Sequence, residues 1–409
     1  MTESRPMTLR DKAAIAGIGA TKYYRRGESH PRSELALTCE AIRAAADDAG
    51  LDITEIDGFA VYAYGCDPAE VAATLGIPEV RFAASLTSGG GGSAGSLGLA
   101  AAAIATGMAT TVVTALAIQQ RTRRVGGSAV GGSPLPYGGG TGISLRGGGA
   151  NAALTANNGV LAPSHSFAMV AQRHMDRYGT RREHFAEVCA STRANAARRP
   201  TTALHTNPLT LESYFEARMI ADPLCLYDCT VESDGAVAAV TVSAERAADL
   251  RHPPVHILAS ANGGSGRWGP GMARWFQAPD DEFASSGHRP VARRLYAMGG
   301  VGPADVDVAL LYDHFSPLVV MQLEDYGFAP IGEGGPFVAD GNIRWGSGSI
   351  PVNTHGGHLS EAYIIGMTHV REAVEQLRGT AVNQVPGAEI ALVTGGPASL
   401  PMSATLLRR

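Results

Sequence analysis

"AGLDITEIDGFAVY" (Ala49–Tyr62) and "GGVGPADVDVALLY" (Gly299–Tyr312) align without a gap at a constant offset of 250, from Tyr62 to Tyr312. Gly50 and Gly300, Ile56 and Val306, Asp57 and Asp307, and the closing tyrosines all fall in register. Each copy runs from a glycine stop through a polar turn into an apolar strand. A unit repeated within one chain predicts two copies of one supersecondary structure.

The flanks extend the match. Before the first copy, "KAAIAGIGATKY" reads as a strand ending in a glycine turn, and "SELALTCEAIRAAADDAGL" as a helix stopped at Gly50. After it come the strand "VRFAAS", the glycine loop and small-residue helix "TSGGGGSAGSLGLAAAAIATG" (Thr87–Gly107), and the strand "TTVVTAL". After the second copy, "NTHGGHLSEAYIIG" (Asn353–Gly366) is another glycine loop, followed by the helix "MTHVREAVEQLRG" and the strand "AEIALVTGG". Strands alternating with helices predict an α/β fold. Three units follow: 1–119, an inserted region 120–245, and 246–409, with the last strand of the first half placed near 230–245. The insert opens on "GGSAVGGSPLPYGGGTGISLRGGGA", read as a long functional or mobile loop, and continues into two amphipathic helices, "SHSFAMVAQRHMDRYG" and "RREHFAEVCASTRANAARR". An insert at the end of a strand is expected to cover substrate as a lid.

Composition narrows the function. Of 409 residues, 45% are apolar and 17% charged, with a net charge of −5, so no basic footprint for nucleic acid or an anionic membrane exists. The run "LGLAAAAIATGMATTVVTAL" reads as a buried helix and a buried strand, not a membrane span. Five scattered cysteines and an N-terminus without an apolar core suit a cytoplasmic protein. Cys225 and Cys229 lack a partner pair, which argues against a zinc site.

Three stretches carry candidate chemistry. "GIGATK" has Lys22 where a dinucleotide fingerprint needs its third glycine, so it reads as a tight turn. "GGSAG" (Gly91–Gly95) matches the G-x-S-x-G nucleophile elbow around Ser93, a pattern frequent by chance in glycine-dense sequence. "YDHF" (Tyr312–Phe315) gathers titratable groups at a strand end, with Asp313 and His314 on opposite faces if the strand continues. In "NTHGGHLSEAYIIG", His355 and His358 have no acidic partner at metal spacing, so no metal is expected.

The duplicated unit, "AQRHMDRYGT", "SDGAVAAV", "YDHF…LEDYGFAPIGEGGPFV" and "NTHGGHLSEAYIIG", in this order, resemble the thiolase superfamily, in its lipid-transfer or sterol-carrier-protein-type branch. The resemblance implies duplicated βαβαβαββ halves in five layers (αβαβα), each half a five-stranded sheet, with an inserted loop/lid domain. It also implies a homodimer in which the strand near Thr110–Leu116 pairs with its twin. The departures matter as much. The family's nucleophilic cysteine falls at about Gly90, and no cysteine lies between Cys66 and Cys189. Its G-H-P histidine falls on Tyr363, followed by Ile364, and its late cysteine near Val393–Thr394. Its N-E-A-F motif becomes Tyr312-Asp313-His314-Phe315.

Thiolytic cleavage needs a thiolate to hold the acyl group, whereas retro-aldol cleavage of a β-hydroxyacyl-CoA needs a base, an acid and an oxyanion site. The tyrosine pattern resembles that of aldolases that shorten steroid side chains to a ring ketone and propionyl-CoA. That likeness implies Tyr312, Tyr363, Asp313 and His314 as catalytic residues. Gly90, Gly91, Ser93, His355, Gly356, Gly357 and His358 are expected to bind the thioester oxygen or substrate. It implies no cofactor beyond the substrate's CoA, and a small companion subunit with an OB-fold and a zinc ribbon. His314, His355, His358 or a helix N-terminus is expected to lower a phenol's pKa. A non-catalytic acyl-CoA or lipid-binding homologue, and an acyltransferase using Ser93, are the alternatives.

Overall fold

In the computed structural model, which describes residues 9–62, 66–86, 90–121, 158–199, 207–265, 280–398 and 401–409, the repeat organises the chain. The strands are β1 (Ala13–Ala20), β2 (Tyr24–Arg25), β3 (Gly58–Tyr62), β4 (Phe82–Leu86), β5 (Thr111–Ile118), β6 (Met219–Ala221), β7 (Leu224–Cys225) and β8 (Ser233–Ser243). They continue with β9 (Val255–Gly263), β10 (Val308–Leu310), β11 (Ile390–Gly395) and β12 (Met402–Arg408). The main sheet has the order β10-β11-β12-β9-β1-β8-β5-β3-β4.

Read outward from the β1–β9 junction, the two halves match. On one side β3 lies parallel to β4 and β5, and β8 runs antiparallel to β5 and β1. On the other, β10 lies parallel to β11, and β12 runs antiparallel to β11 and β9. The halves join through two residue pairs, Ala14 with His256 and Ile15 with Val255. Helix Gly92–Ala105 lies between them, touching β3, β5 and β8 as well as β9, β11 and β12. Its glycines, alanines and serines let the strands of both halves pack closely against it, as at Gly98, where a Cβ would lie 2.3 Å from Ser260 Oγ.

The repeat holds to the level of single side chains. Gly50 and Gly300 both end a helix in the left-handed conformation, at φ 74° and 65°. Asp57 accepts hydrogen bonds from the Thr110 and Thr111 amides, and Asp307 from the Glu389 and Ile390 amides. Each carboxylate thus sets the start of the neighbouring parallel strand.

Four expectations change. The second half lacks a full edge strand: a single bridge between Ala309 and Val352 stands where β4 stands in the first half. The inserted helices Pro163–Tyr178 and Arg182–Ala196 form no separate lid. Phe167, Val170, Phe185 and Val188 share one buried cluster with Leu318, Val319 and Leu323 of the second half. β5 is bonded on both sides, to β8 and β3, so it has no edge for a second copy. Finally, "GIGA" continues β1 instead of turning. Gly17 is required there because helix Glu34–Ala49 crosses so closely that a Cβ would lie 2.0 Å from the Ala45 oxygen. The long glycine-rich loop of the insert lies outside the described residues.

Candidate active site

β10 ends at Leu310, and the next residues are held by their backbones. Asn353 brackets Leu311, its Oδ1 accepting from the Leu311 amide and its Nδ2 donating to the Leu311 carbonyl, each at 2.8 Å. The Tyr312 amide donates to Thr394 Oγ1 at 2.8 Å, and Gln322 Nε2 donates to the Tyr312 carbonyl at 3.0 Å. Thr394 in turn donates to Gln322 at 2.6 Å, closing the ring of bonds. Because every backbone partner is itself satisfied, the phenol of Tyr312 has a fixed origin.

That phenol lies 3.0 Å from the phenol of Tyr363. Tyr312 is buried and Tyr363 half-buried. The Tyr363 amide donates to Ser233 Oγ at 2.7 Å, which ties this loop of the second half to β8 of the first. The tyrosine pair faces the other glycine loop. A Cβ on Gly90 would lie 2.8 Å from both Cζ and Oη of Tyr312, closer than van der Waals contact allows. Gly90, where the resemblance leads one to expect a thiolase cysteine, thus faces a phenol from the other half of the fold.

Behind the phenols lies a buried group of Asp313, His358 and His369, whose potential ligand atoms sit within 4.8 Å of one another. The fold supplies His358 with the acidic partner that its sequence neighbourhood lacks. Asp313 accepts from the His358 amide at 2.9 Å, and its Oδ1 lies 3.3 Å from His358 Nδ1 and 3.2 Å from His369 Nε2. His358 Nε2 accepts from the Gly366 amide at 3.0 Å, while its Nδ1 faces Asp313 without completing a hydrogen bond. His369 Nε2 lies 2.9 Å from the Leu311 carbonyl and is a donor there. The group braces the turn: Asp313 is held by the His358 and Leu359 amides, and His369 by the Leu311 carbonyl. The brace ends on Gly366, whose left-handed turn packs against Ser93 and Tyr312.

Ser93 is nearly fully buried, and its hydroxyl donates to the Ile365 carbonyl. It acts as a strut between the two loops, which removes support from Ser93 as a nucleophile. Gly357 packs directly on the Asp313 carboxylate and Gly356 on Ala196. His355 stacks edge-on to His369 at 4.8 Å. The structure places these three with the brace, while Gly90 and Ser93 border the phenols. Gly91 packs against the Pro401 carbonyl. His314 leaves the strand and packs edge-on against Phe167 and Tyr312.

Electrostatics corrects one expectation. Burial lowers His314 to about 3 and holds His355 and His358 well below the usual imidazole range. These rings are neutral and cannot depress a phenol's pKa by charge. Tyr312 is pushed well above the usual phenol range, first by burial and then by the neighbouring Tyr363. At rest it keeps its proton.

The family model for the thiolase C-terminal domain-like region matches residues 274–407. A steroid side-chain-cleaving aldolase of Thermomonospora curvata is 41% identical over 399 residues, covering 97% of each chain. The 17-hydroxy-3-oxo-4-pregnene-20-carboxyl-CoA lyase of Mycobacterium tuberculosis is 39% identical over 423 residues, covering 98% of this chain and 100% of that one. The chain belongs to the thiolase-like aldolases. A solved relative, the Ltp2-ChsH2(DUF35) aldolase, superposes with a TM-score of 0.87 at 39% identity, covering 98% of this chain and 99% of that one. In this aldolase the fold brings together the expected Tyr312, Tyr363, Asp313 and His358, and adds His369, Asn353, Gln322 and Thr394, which the sequence does not single out. Their signal is spatial: all four are brought to the Tyr312 segment only by the closing of the second half.

Proposed function

We propose that the protein cleaves a β-hydroxyacyl-CoA by a retro-aldol reaction, with a steroid side-chain thioester giving a ring ketone and propionyl-CoA. The observation that carries the reading is the pair of phenols 3.0 Å apart beside Gly90, in a site without a cysteine. Full-length likeness to a lyase named for a steroid 20-carboxyl-CoA supports the substrate class.

The difference in burial supports a division of roles. Tyr363 is the more accessible phenol and receives the proton of the substrate's β-hydroxyl. Its own proton passes to Tyr312, and the Tyr312 proton goes to the α-carbon of the departing thioester enolate. The Cα–Cβ bond supplies the enolate's electron pair, and the β-oxygen becomes the ketone. No phenol need be ionised at rest, which agrees with the raised pKa of Tyr312. The start of helix Gly92–Ala105, with the positive end of its dipole, is the site for the enolate oxygen. CoA enters only as part of the substrate.

The name of the solved relative, which includes ChsH2(DUF35), supports a companion subunit, here a small protein with an OB-fold and a zinc ribbon. A homodimer would use β4, which among the described residues is bonded on one side only, to β3. Among the described residues no helix is long and apolar enough to cross a membrane, in keeping with a cytoplasmic enzyme.

The test is to incubate 17-hydroxy-3-oxo-4-pregnene-20-carboxyl-CoA with the protein and its companion, and to measure propionyl-CoA. Tyr312→Phe and Tyr363→Phe should each cut kcat by roughly 100- to 10,000-fold at unchanged melting temperature. Wild-type turnover in both variants, or no propionyl-CoA from the native protein, would refute the mechanism.

A further inference from the structure

The repeat gives Tyr312 a twin. Tyr62 ends β3 as Tyr312 follows β10, and it is just as thoroughly buried, at 4% exposure against 2%. Its ring lies over the start of helix Gly92–Ala105, so close that a Cβ on Gly92 would meet Cδ2 at 1.9 Å. Its phenol oxygen accepts a hydrogen bond from the Gly90 amide at 3.3 Å. Gly90 is also the residue against which the Tyr312 phenol rests, and it holds a left-handed φ of 81°. The twin tyrosines therefore meet at one glycine, one holding its amide and the other filling the space of its missing side chain.

This contact has a mechanical consequence. A glycine in the left-handed region has wide backbone freedom, and nothing in its own chemistry fixes its orientation. A rotation of the Gly90 peptide would open or close the space that sets the reach of Tyr312 towards Tyr363. A bond to its amide removes that freedom. Burial holds the Tyr62 phenol up to about 12, so it stays neutral and keeps its acceptor role across the working range.

We propose that Tyr62 is a positioning residue for the proton relay, acting through the Gly90 amide on the phenol of Tyr312. The inference rests on the relay argued above. Tyr62 touches no reacting atom; it fixes the wall against which the reacting phenol stands.

Because Tyr62→Phe keeps the ring over Gly92 and removes only one oxygen, the fold should survive, which thermal melting checks. With 17-hydroxy-3-oxo-4-pregnene-20-carboxyl-CoA and the companion subunit present, this variant should lose about tenfold in kcat, the scale of one hydrogen bond, with KM unchanged. The decisive arm is a double-mutant cycle. If Tyr62 works through Tyr312, Tyr62→Phe should cost nothing further in a Tyr312→Phe background. Equal losses in both backgrounds would mean that it acts independently and would overturn the inference. So would a Tyr62→Phe enzyme turning over at the wild-type rate while Tyr312→Phe is depressed. Wild-type turnover by Tyr312→Phe would instead bring down the relay itself, and this inference with it.

Discussion

The two halves share a skeleton and divide the chemistry. In the first, the glycine loop contributes backbone, with Gly90, Gly91 and Gly92 packed against Tyr312, the Pro401 carbonyl and Tyr62. In the second, the corresponding loop contributes side chains: Tyr363 at the surface of the site, and His358 joined to Asp313 behind it. Yet Asp57 and Asp307, 250 residues apart, perform the same structural task. Duplication kept what closes the sheet and released what faces the substrate. One copy supplies backbone beside the phenols, and the other supplies the phenols themselves.

The sharpest way to break this comparison is to return a side chain to that backbone. Gly90→Cys restores the residue type of a thiolase at the thiolase position. It should not restore a thiolase, because the new Cβ would stand 2.8 Å from the Tyr312 phenol oxygen. Something must shift, and a displacement of about 1 Å in a reacting group costs on the order of 100-fold in rate. The expected outcome is an aldolase weakened by about that factor, with no acyl-enzyme detected by mass spectrometry after acetyl-CoA is added. An acylated, thiolytic variant would show that the two sites are not mutually exclusive.

The second prediction concerns a charge cluster built by the insert and the second half, with the Tyr23 hydroxyl of the first half accepting from Arg371. Arg199 reaches Glu361 at 2.8 Å, Glu372 at 2.7 Å and Glu375 at 3.2 Å, and Arg371 reaches Glu375 at 2.7 Å. Three carboxylates face two guanidinium groups, and burial raises Glu361 to about 7, against the lowering influence of Arg199. A carboxyl with a raised folded pKa binds its proton more tightly in the folded state. Its contribution is therefore full below the unfolded pKa, near 4.5, and is lost as pH rises through about 7. That loss is about 3 kcal/mol. Glu361→Gln should gain stability relative to wild type by about that much between pH 4.5 and 7, followed by denaturant melts. A stability difference constant across this window would sink the assignment.

How much of this was legible in the sequence follows from where each signal resides. The offset of 250 was visible because Asp57 and Asp307, and Gly50 and Gly300, do local work at fixed spacing. Tyr312 and Tyr363 were visible because a resemblance to thiolases marks their positions. β5 was misplaced at a dimer edge because its apolar run does not reveal whether one or two neighbours bond to it. The neutral state of His314, His355 and His358 was not legible, since composition cannot report burial. His369 lay within a helix whose apolar spacing hid it. It becomes part of the site only when that helix packs under the Tyr312 segment.

A gentler test compares the two structural aspartates. Asp57 accepts from two amides and from the Thr110 hydroxyl, whereas Asp307 accepts from two amides alone. Asp57→Ala should lower stability by about 1–2 kcal/mol more than Asp307→Ala, the scale of the one extra hydrogen bond from the Thr110 hydroxyl. Both should leave kcat untouched, because neither residue borders the phenols. A large kcat loss from Asp307→Ala alone would mean that the frame of the second half is part of the machinery and not merely its support.

The smallest effect is expected where a thiolase would show the largest. Cys39, Cys66, Cys189 and Cys225 are buried and Cys229 is half-buried, all as free thiols. Burial raises every one of them above the usual thiol range, Cys66 and Cys229 to about 12. A thiol that keeps its proton is a poor nucleophile, so none of the five resembles an activated cysteine. Cys189 is also committed elsewhere, lying 3.2 Å from the Tyr227 carbonyl and 3.7 Å from Asp228. Replacing all five with alanine or serine should therefore leave kcat within about threefold of wild type, far inside the roughly 100-fold that one catalytic group carries. The stability cost should come mainly from Cys189 and Cys225, which are packed in the core shared by the insert and the second half. Iodoacetamide should not inactivate the native protein. Inactivation that substrate prevents would place a working thiolate at the site and return the phenols to a supporting role.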